Sequence, residues 1–374
     1  MLWTGIVLYV KNDMIEKIDL IIKSLKERKN KYKELQEQSS KVLGCIETLK
    51  AERLKHDPIT SLLNIHNLWA DKKYQSKSSK SSTKSSKGQR VFLKTSGSIL
   101  SNKKNMQHLA AMRYTLMDFN SGAICSFIPK NACTNLRTSF ALSNGFISSI
   151  NDVNWIHKNN TSQNATELQI QNADYTFVIL RNPFWRITSC FIDKAVGDVN
   201  GNETDSYEIC KNLHSIQENE TTFEKFIENL YFDQSLIQED LHLKRQGDFL
   251  VLTDYDDWLS VESYKSAATQ IEKSCGISLV DTRSSSSHTT FGFEKMHILN
   301  AGELTIAELR EIKSKNIIPK YESLYTEKTA FMVSSMYWSD IYLYILKIGI
   351  TSEIESLLTM ASSYAIQLTN DNFS

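Results

Sequence analysis

The segment FIPKNACTNLR, residues 127–137, sets one lysine among small and polar residues directly after an apolar stretch. A turn between a buried strand and a helix presents unpaired backbone N–H groups and the positive end of the helix dipole, which together suit a phosphate. Lys130 adds a positive charge, and Thr134 and Asn135 add hydrogen-bond donors where the helix begins. The segment therefore predicts an anion site, or else an ordinary strand-to-helix turn capped by Thr134.

A second segment, VILRNPFWRITSCFIDK at residues 178–194, repeats this pattern. Arg181 ends an apolar run, where its guanidinium can grip a phosphate with two parallel hydrogen bonds, and Ser189 on the following helix can add a hydroxyl. Arg186 and Lys194 on that helix either contact an anionic acceptor or form a solvated face. Two anion-binding strand ends in one sheet predict a ligand with phosphates at two places.

Several classes of protein are disfavoured by what the sequence lacks. Neither G-x-x-x-x-G-K-[ST] nor G-x-G-x-x-G occurs, which counts against an ordinary kinase or a nicotinamide-dependent dehydrogenase. Lys+Arg and Asp+Glu each total 43, so there is no general reason to expect a nucleic-acid partner. The six cysteines form no CxxC pair, and the acidic stretch at residues 254–258 reads as a turn or an acidic face, so we expect no metal site.

Short apolar runs alternate with amphipathic stretches after residue 121, and these must position the two turns. The runs at 123–128, 175–180 and 249–252 predict buried strands, and residues 326–346 predict a closing helix. Such alternation predicts an α/β fold with a P-loop-like, mostly parallel central sheet flanked by helices. Ligands of such sheets bind at the carboxyl ends of the strands, where both turns lie.

The first ninety residues have a different character. Apolar residues recur in a heptad over residues 15–55, which predicts either a coiled coil that dimerises the protein or docks a partner, or an amphipathic helix folded onto the main domain. A run of Ser and Lys at 76–88 predicts a flexible linker. We therefore expect a helical arm at 1–72, a linker at 73–90 and an α/β domain at 91–374.

The apolar start of the chain covers ten residues before Lys11, well short of the roughly 20 that a membrane-spanning helix needs. We accordingly expect no transmembrane segment and a cytoplasmic protein.

The segments IPKNACTNLR and LRNPFWRITSCF resemble the two donor-binding motifs of the sulfotransferase superfamily. The likeness is closest to the carbohydrate sulfotransferase branch and its bacterial relatives, in which both motifs occur in this order, each after a strand. It covers residues 121–346 and leaves the arm and linker outside. The resemblance implies an enzyme that transfers the sulfuryl group of 3′-phosphoadenosine 5′-phosphosulfate (PAPS) to a hydroxyl or amine of a glycan or glycolipid acceptor, without a metal.

The resemblance also implies roles for individual residues. Lys130 would stabilise the leaving phosphate as a catalytic residue, and Arg181 and Ser189 would bind the 3′-phosphate. The residues that would hold the 5′-phosphosulfate are Lys130, Asn131, Ala132, Cys133, Thr134 and Asn135.

A third segment, DLHLKRQ at residues 240–246, is similar to a His-aromatic-Arg-Pro-Gln motif of many relatives and retains His242 and Gln246. The likeness makes His242 the expected general base, since a histidine can be neutral near pH 7. Three intervening positions depart from the motif, so a structural role for His242 stays open, as do other bases. The other candidate bases are Asp240, Glu239 and His214.

These departures and the long helical arm motivate a second function. The chain would then be a non-catalytic, nucleotide-binding coiled-coil interaction protein with a sulfotransferase-like fold. A P-loop phosphotransferase that uses ATP and Mg²⁺ is a third possibility.

Overall fold

The computed structural model describes residues 90–94, 105–197, 220–282 and 292–371. The predicted arm at 1–72 and its coiled coil lie outside these residues, so they and the domain boundaries stay predictions. The stretch Ala70–Tyr364 forms one compact unit, and all contacts described below lie within it.

The described helices and strands alternate along most of the chain. In chain order they are α1 (Met106–Met112), β1 (Thr115–Met117), β2 (Ala123–Ser126), α2 (Cys133–Ser143), α3 (Trp155–Lys158), α4 (Glu167–Gln171), β3 (Tyr175–Leu180), α5 (Pro183–Cys190), α6 (Phe223–Phe232), α7 (Ser235–Glu239), β4 (Asp257–Ser260), α8 (Tyr264–Cys275), β5 (Glu294–Met296), α9 (Ile306–Ser314), β6 (Ile317–Pro319), α10 (Glu327–Lys347) and α11 (Ser352–Asp371).

The central sheet has four strands in the order β1-β2-β3-β4. β2 pairs with β3, and β3 with β4, in parallel, whereas β1 runs antiparallel to β2 at the edge. The sheet is therefore mixed, and the prediction of a mostly parallel sheet holds for its three later strands. The α/β architecture with a helix-flanked central sheet is confirmed.

Helices cover the two middle strands, as the composition of these strands requires. Every residue of β2 and β3 is buried, which is typical of parallel strands packed on both faces. On one face Phe177 of β3 packs in a single core cluster with Phe140 of α2 and Ile271 of α8. Because β2 and β3 run parallel, their carboxyl ends lie at the same edge of the sheet and lead directly into the two predicted turns.

The predicted strand at 249–252 is wrong. Leu252 forms only an isolated bridge to Phe92, and the N–H of Val251 donates to the hydroxyl of Tyr255 at 3.1 Å instead of to a neighbouring strand. The fourth strand is β4, which begins in the acidic stretch that we interpreted as a turn or acidic face. A short apolar run reports burial, and burial by itself does not distinguish a strand from a packed loop.

The predicted closing helix is confirmed as α10. It starts with a capping box, in which the Thr326 hydroxyl accepts from the N–H of Thr329 and the Thr329 hydroxyl accepts from the N–H of Thr326. Tyr337 has non-helical backbone angles, so the helix is kinked at its middle. The kink lies three residues before Asp340, which supports the site described next.

Candidate active site

The turn between β2 and α2 is shaped by unusual backbone angles. Lys130 and Ala132 have φ values of 70° and 56°, in the left-handed region that side chains other than glycine rarely adopt. Such strain is concentrated at functional sites. Ala132 is also the N-cap of α2 and offers no side-chain cap, so the first N–H groups of this helix remain available to another acceptor. The turn thus has the open helix N-terminus that an anion site requires.

The charge of Lys130 is partly neutralised by a residue that the sequence did not indicate. Its Nζ lies 2.7 Å from Oδ2 of Asp193, and Nζ of Lys194 lies 3.8 Å from the same oxygen. Asp193 belongs to a π-helical turn, Phe191–Ala195, that continues α5. Such turns are frequent at functional sites. An incoming anion would compete with Asp193 for the ammonium of Lys130.

The second turn lies directly against the first. Arg181 follows the last residue of β3, and its Nη1 donates to the carbonyl oxygen of Lys130 at 2.7 Å. The side chain of Asn182 caps α5 by accepting from the N–H of Phe184 at 3.1 Å. The two segments that the sequence predicted separately therefore form one continuous site at the carboxyl ends of β2 and β3.

Gln246, which is completely buried, holds the two turns together. Its Oε1 accepts from Nδ2 of Asn131 at 2.6 Å and from the N–H of Arg181 at 3.0 Å. Its Nε2 donates to the carbonyl of Arg181 at 2.9 Å, and its own N–H donates to Oδ2 of Asp340 at 2.7 Å. One side chain thus fixes the spacing between the Lys130 turn and the Arg181 strand end.

Two buried charges lie behind the turns. Arg186 is 1% exposed and donates from Nε to the carbonyl of Pro129 at 3.1 Å. Burial raises the pKa of Asp340 to about 6, although the charge of Arg186 and the N–H groups of Gln246 and Gly247 oppose the rise. Arg186 therefore supports the Lys130 turn from inside. The predicted solvated face is wrong for Arg186 and for Lys194, because both side chains are buried. Their contact with an anionic acceptor stays a prediction.

The remaining residues of the first turn differ in what their side chains do. Asn131 is buried and donates to the carbonyl of Ile179 at 3.0 Å as well as to Gln246. Oδ1 of Asn135 accepts from Oγ1 of Thr282 at 2.6 Å. The side chains of Ala132, Cys133 and Thr134 are partly exposed in the turn. The two asparagines thus shape the turn with their side chains.

Tyr321 lies beside Arg181 and Ser189, although the sequence pattern did not indicate it. Burial would raise the pKa of its phenol, but the charges of Arg181, Lys295 and Lys130, together with hydrogen bonding from Ser189, hold this pKa below its ordinary value. The positive charges of Arg181, Lys295 and Lys130 thus outweigh the effect of burial at this phenol. No sequence motif marks Tyr321, which follows the short strand β6 and lies far from Arg181 in the sequence.

His242 is paired with a carboxylate. Its Nδ1 lies 3.1 Å from Oδ1 of Asp240, whose same oxygen accepts from the His242 N–H at 2.7 Å. Burial would raise the pKa of Asp240, but these hydrogen bonds and the charge of Lys194 hold it below its ordinary value. Asp240 is therefore ionised at neutral pH and orients the imidazole. Of the other candidate bases, Glu239 is exposed and His214 lies outside the described residues.

Two further findings concern the described part of the chain. No three His, Cys, Asp or Glu side chains within it are grouped so as to hold a metal ion. None of its helices is long and apolar enough to cross a bilayer.

Comparison with known proteins gave one match. A search of curated proteins and a search of solved structures each found no match to this chain. The model of the sulfotransferase family, in contrast, matches residues 113–344, which are more than half of the chain and include both turns, Gln246 and Asp340. Members of this family transfer sulfate and generally use PAPS as the donor. From the match over most of the α/β domain, the chain belongs to the sulfotransferase family.

Proposed function

We propose that this protein transfers the sulfuryl group of PAPS to a hydroxyl or amine of a carbohydrate acceptor. The 5′-phosphosulfate would bind at the Lys130 turn, and the 3′-phosphate at Arg181 and Ser189. The observation that carries the proposal is the hydrogen bond of 2.7 Å from Arg181 to the carbonyl of Lys130, which makes the two anion-binding turns one site. A ligand with anionic groups at two places fits such a site.

The chemistry at the Lys130 turn would be an in-line displacement. The acceptor oxygen or nitrogen forms a bond to sulfur while the bond between sulfur and the bridging oxygen of the 5′-phosphate breaks, and adenosine 3′,5′-bisphosphate leaves. Negative charge develops on that phosphate oxygen. Lys130 and the N–H groups at the start of α2 are fixed in place before the reaction, so they stabilise this charge without reorganising.

The proton of the acceptor would pass to His242. Because Nδ1 lies beside Asp240, the ring favours the tautomer in which Nε2 has a free lone pair for the proton. The lowered pKa of Asp240 makes this carboxylate a weak base, which supports an orienting role instead.

The carbohydrate class of acceptor is supported by the likeness of both motifs to the carbohydrate sulfotransferase branch. A glycan or a glycolipid headgroup offers the hydroxyl or amine that the reaction needs.

The donor site is tested by calorimetry with adenosine 3′,5′-bisphosphate, 5′-AMP and ATP. We expect preference for the bisphosphate. Arg181→Ala should weaken its binding by about 1.5–3 kcal/mol, the value of a charged hydrogen bond, with little change for 5′-AMP. Arg113→Ala, at an exposed arginine, is the matched control and should bind all three ligands normally. Preference for ATP, or an equal loss for 5′-AMP in Arg181→Ala, would contradict the assignment.

The transfer step is tested with radiolabelled PAPS and a panel of glycans and glycolipids. Incorporation of sulfate that is lost in His242→Ala and Lys130→Ala would support the whole proposal. Tight binding of the bisphosphate with no transfer to any acceptor would favour the alternative, a nucleotide-binding interaction protein.

A further inference from the structure

The ammonium of Lys94 is held by three backbone carbonyl groups. Its Nζ donates to the carbonyl oxygens of Gly247 at 2.9 Å, Asp248 at 3.1 Å and Leu250 at 2.8 Å. An ammonium has three hydrogens, so this arrangement uses all of its donors. Burial lowers the pKa of Lys94 to about 8, while the charge of Asp248 opposes the fall. Lys94 therefore binds these carbonyls as a cation at pH 7.

The carbonyls belong to a short 3₁₀ helix, Gln246–Phe249, and to the residue after it. The start of this helix is bound by Asp340, which accepts from the N–H of Gln246 at 2.7 Å and from the N–H of Gly247 at 3.3 Å. Unpaired N–H groups lie at the start of a helix and unpaired carbonyls at its end, so a carboxylate and an ammonium satisfy them. Gln246 is thus fixed in a turn that has an anion at one end and a cation at the other.

Lys94 is itself held by its neighbours in the chain. Phe92 is 1% exposed and forms an antiparallel bridge with Leu252. The side chain of Asn105 caps α1 and donates from Nδ2 to the carbonyl of Lys94. The backbone of Lys94 therefore cannot move without disturbing a buried phenylalanine or the start of a helix.

The position of Gln246 matters because this residue contacts both turns of the candidate site. Its Oε1 accepts from Nδ2 of Asn131 and from the N–H of Arg181. A displacement of the 3₁₀ helix would move one of these contacts relative to the other. Asp340 holds this helix from within the family-matching stretch, residues 113–344, whereas Lys94 holds it from a segment that precedes this stretch.

We propose that Lys94 is a positioning residue for the candidate active site, which fixes the spacing between the Lys130 turn and the Arg181 strand end by holding the helix that carries Gln246. A segment that precedes the family-matching stretch thereby takes part in the function of the site. The inference rests on the proposed function, since it concerns a ligand that binds to both turns. Such a ligand depends on the spacing between the turns, whereas a ligand bound to one turn does not.

The test compares Lys94→Met with Arg90→Met, a matched substitution in the same segment. Arg90 also makes three hydrogen bonds, to Oγ1 of Thr176 at 2.9 Å, the carbonyl of Ala173 at 3.0 Å and Oδ2 of Asp256 at 2.7 Å. These partners lie at or before the amino ends of β3 and β4, at the sheet edge opposite the two turns. Both variants lose a cation with three hydrogen bonds, so both should have a lower Tm.

The two variants should differ in what they do to the site. By calorimetry, Lys94→Met should lower the ratio of adenosine 3′,5′-bisphosphate to 5′-AMP affinity by about three- to tenfold, and Arg90→Met should leave this ratio unchanged. Hydrogen exchange without ligand gives a second measurement. The amide of Arg181, which donates to Gln246, should exchange at least about threefold faster in Lys94→Met and no faster in Arg90→Met.

The possible failures are distinguishable. If the unchanged protein does not prefer the bisphosphate, the proposed donor site is wrong and this inference falls with it. If that preference is present and Lys94→Met keeps the full ratio, or Arg90→Met lowers the ratio by the same factor, this inference alone is overturned. Unchanged exchange of the Arg181 amide in Lys94→Met would also overturn it.

Discussion

The two strand-to-helix turns share one local pattern, a buried strand followed by a cationic residue and a helix. They differ in which groups they offer to an anion. α2 begins at Ala132, which has no side-chain cap and leaves its helix N-terminus open. α5 begins with Asn182 and Pro183, where the asparagine side chain accepts from an N–H and the proline has none to offer. The first turn therefore has backbone N–H groups to offer to the proposed ligand, whereas the second would bind it with side chains such as that of Arg181.

The charges of the two turns differ as well. Lys130 is paired with Asp193 at 2.7 Å, and both side chains are 14% exposed. Arg181 has no such carboxylate among the described residues and lies instead over Tyr321. The first turn thus has a charge that a ligand must compete for, which suits a group that acts during the reaction. The second has a charge ready for a ligand, which suits binding.

Lys130→Ala should produce the largest effect and separate the two turns most clearly. Loss of a charge that stabilises the transition state should lower kcat by at least about 100-fold, or about 2.7 kcal/mol, with a smaller change in donor affinity. Steady-state kinetics at saturating donor measures this, with Lys320→Ala as the surface control. The comparison fails if Lys130→Ala keeps near-normal turnover, or if its main effect is on bisphosphate binding, as expected for Arg181→Ala.

Asp340→Asn tests the buried carboxylate that accepts from the N–H of Gln246, the residue that joins the two turns. Burial raises the pKa of Asp340 to about 6 from 3.8, so the folded protein binds an extra proton between these values. The stability that this protonation contributes is present below about pH 4 and is lost as the pH rises through about 6. The free energy of unfolding of the unchanged protein, relative to that of Asp340→Asn, should fall by about 2 kcal/mol between about pH 4.5 and about pH 7.5.

Urea unfolding of both proteins across this pH range measures the difference. Asp152→Asn, at an exposed carboxylate, is the control and should follow the unchanged protein at each pH. A difference between the unchanged protein and Asp340→Asn that is the same at every pH would show that Asp340 has no raised pKa.

Asp193→Asn should produce the smallest effect and act on the first turn only. Removing the competing carboxylate should strengthen binding of 5′-AMP by about two- to fivefold, the value of a partly exposed ion pair. The contribution of the 3′-phosphate, measured as the ratio of bisphosphate to 5′-AMP affinity, should not change. Calorimetry gives both values. Weaker 5′-AMP binding would mean that Asp193 orients Lys130 for the ligand instead of competing with it.

Features that depend on neighbouring residues could be predicted from the sequence. β3 and α10 were found close to their expected positions, because a continuous apolar run and a capping pair act within a few residues of each other. The turn at Lys130 was likewise identified from a strand, a lysine and small polar residues in succession. β4 was missed, since it begins with Asp257, is only partly buried over its first three residues, and is defined by its pairing with β3.

Residues that enter the site from distant parts of the chain could not be predicted from local sequence patterns. Asp193 reaches Lys130 through a π-helical turn, and Tyr321 reaches Arg181 through the β5–β6 pair. No local pattern reports either geometry, because each depends on how separate elements pack. Gln246 was noted only as a retained motif residue, and its contacts with both turns became evident from the structure.

The sequence by itself determined that two turns with a cationic residue follow buried strands of an α/β domain, since hydrophobic runs, turn residues and charged side chains act locally. Only the tertiary structure decided that the turns meet and that Gln246 sets their spacing. It also decided that, among the described residues, Lys130 is paired with a carboxylate and Arg181 is not. The reason is physical: burial and the Coulomb energy depend on distances between atoms, and these distances arise only when remote segments pack together.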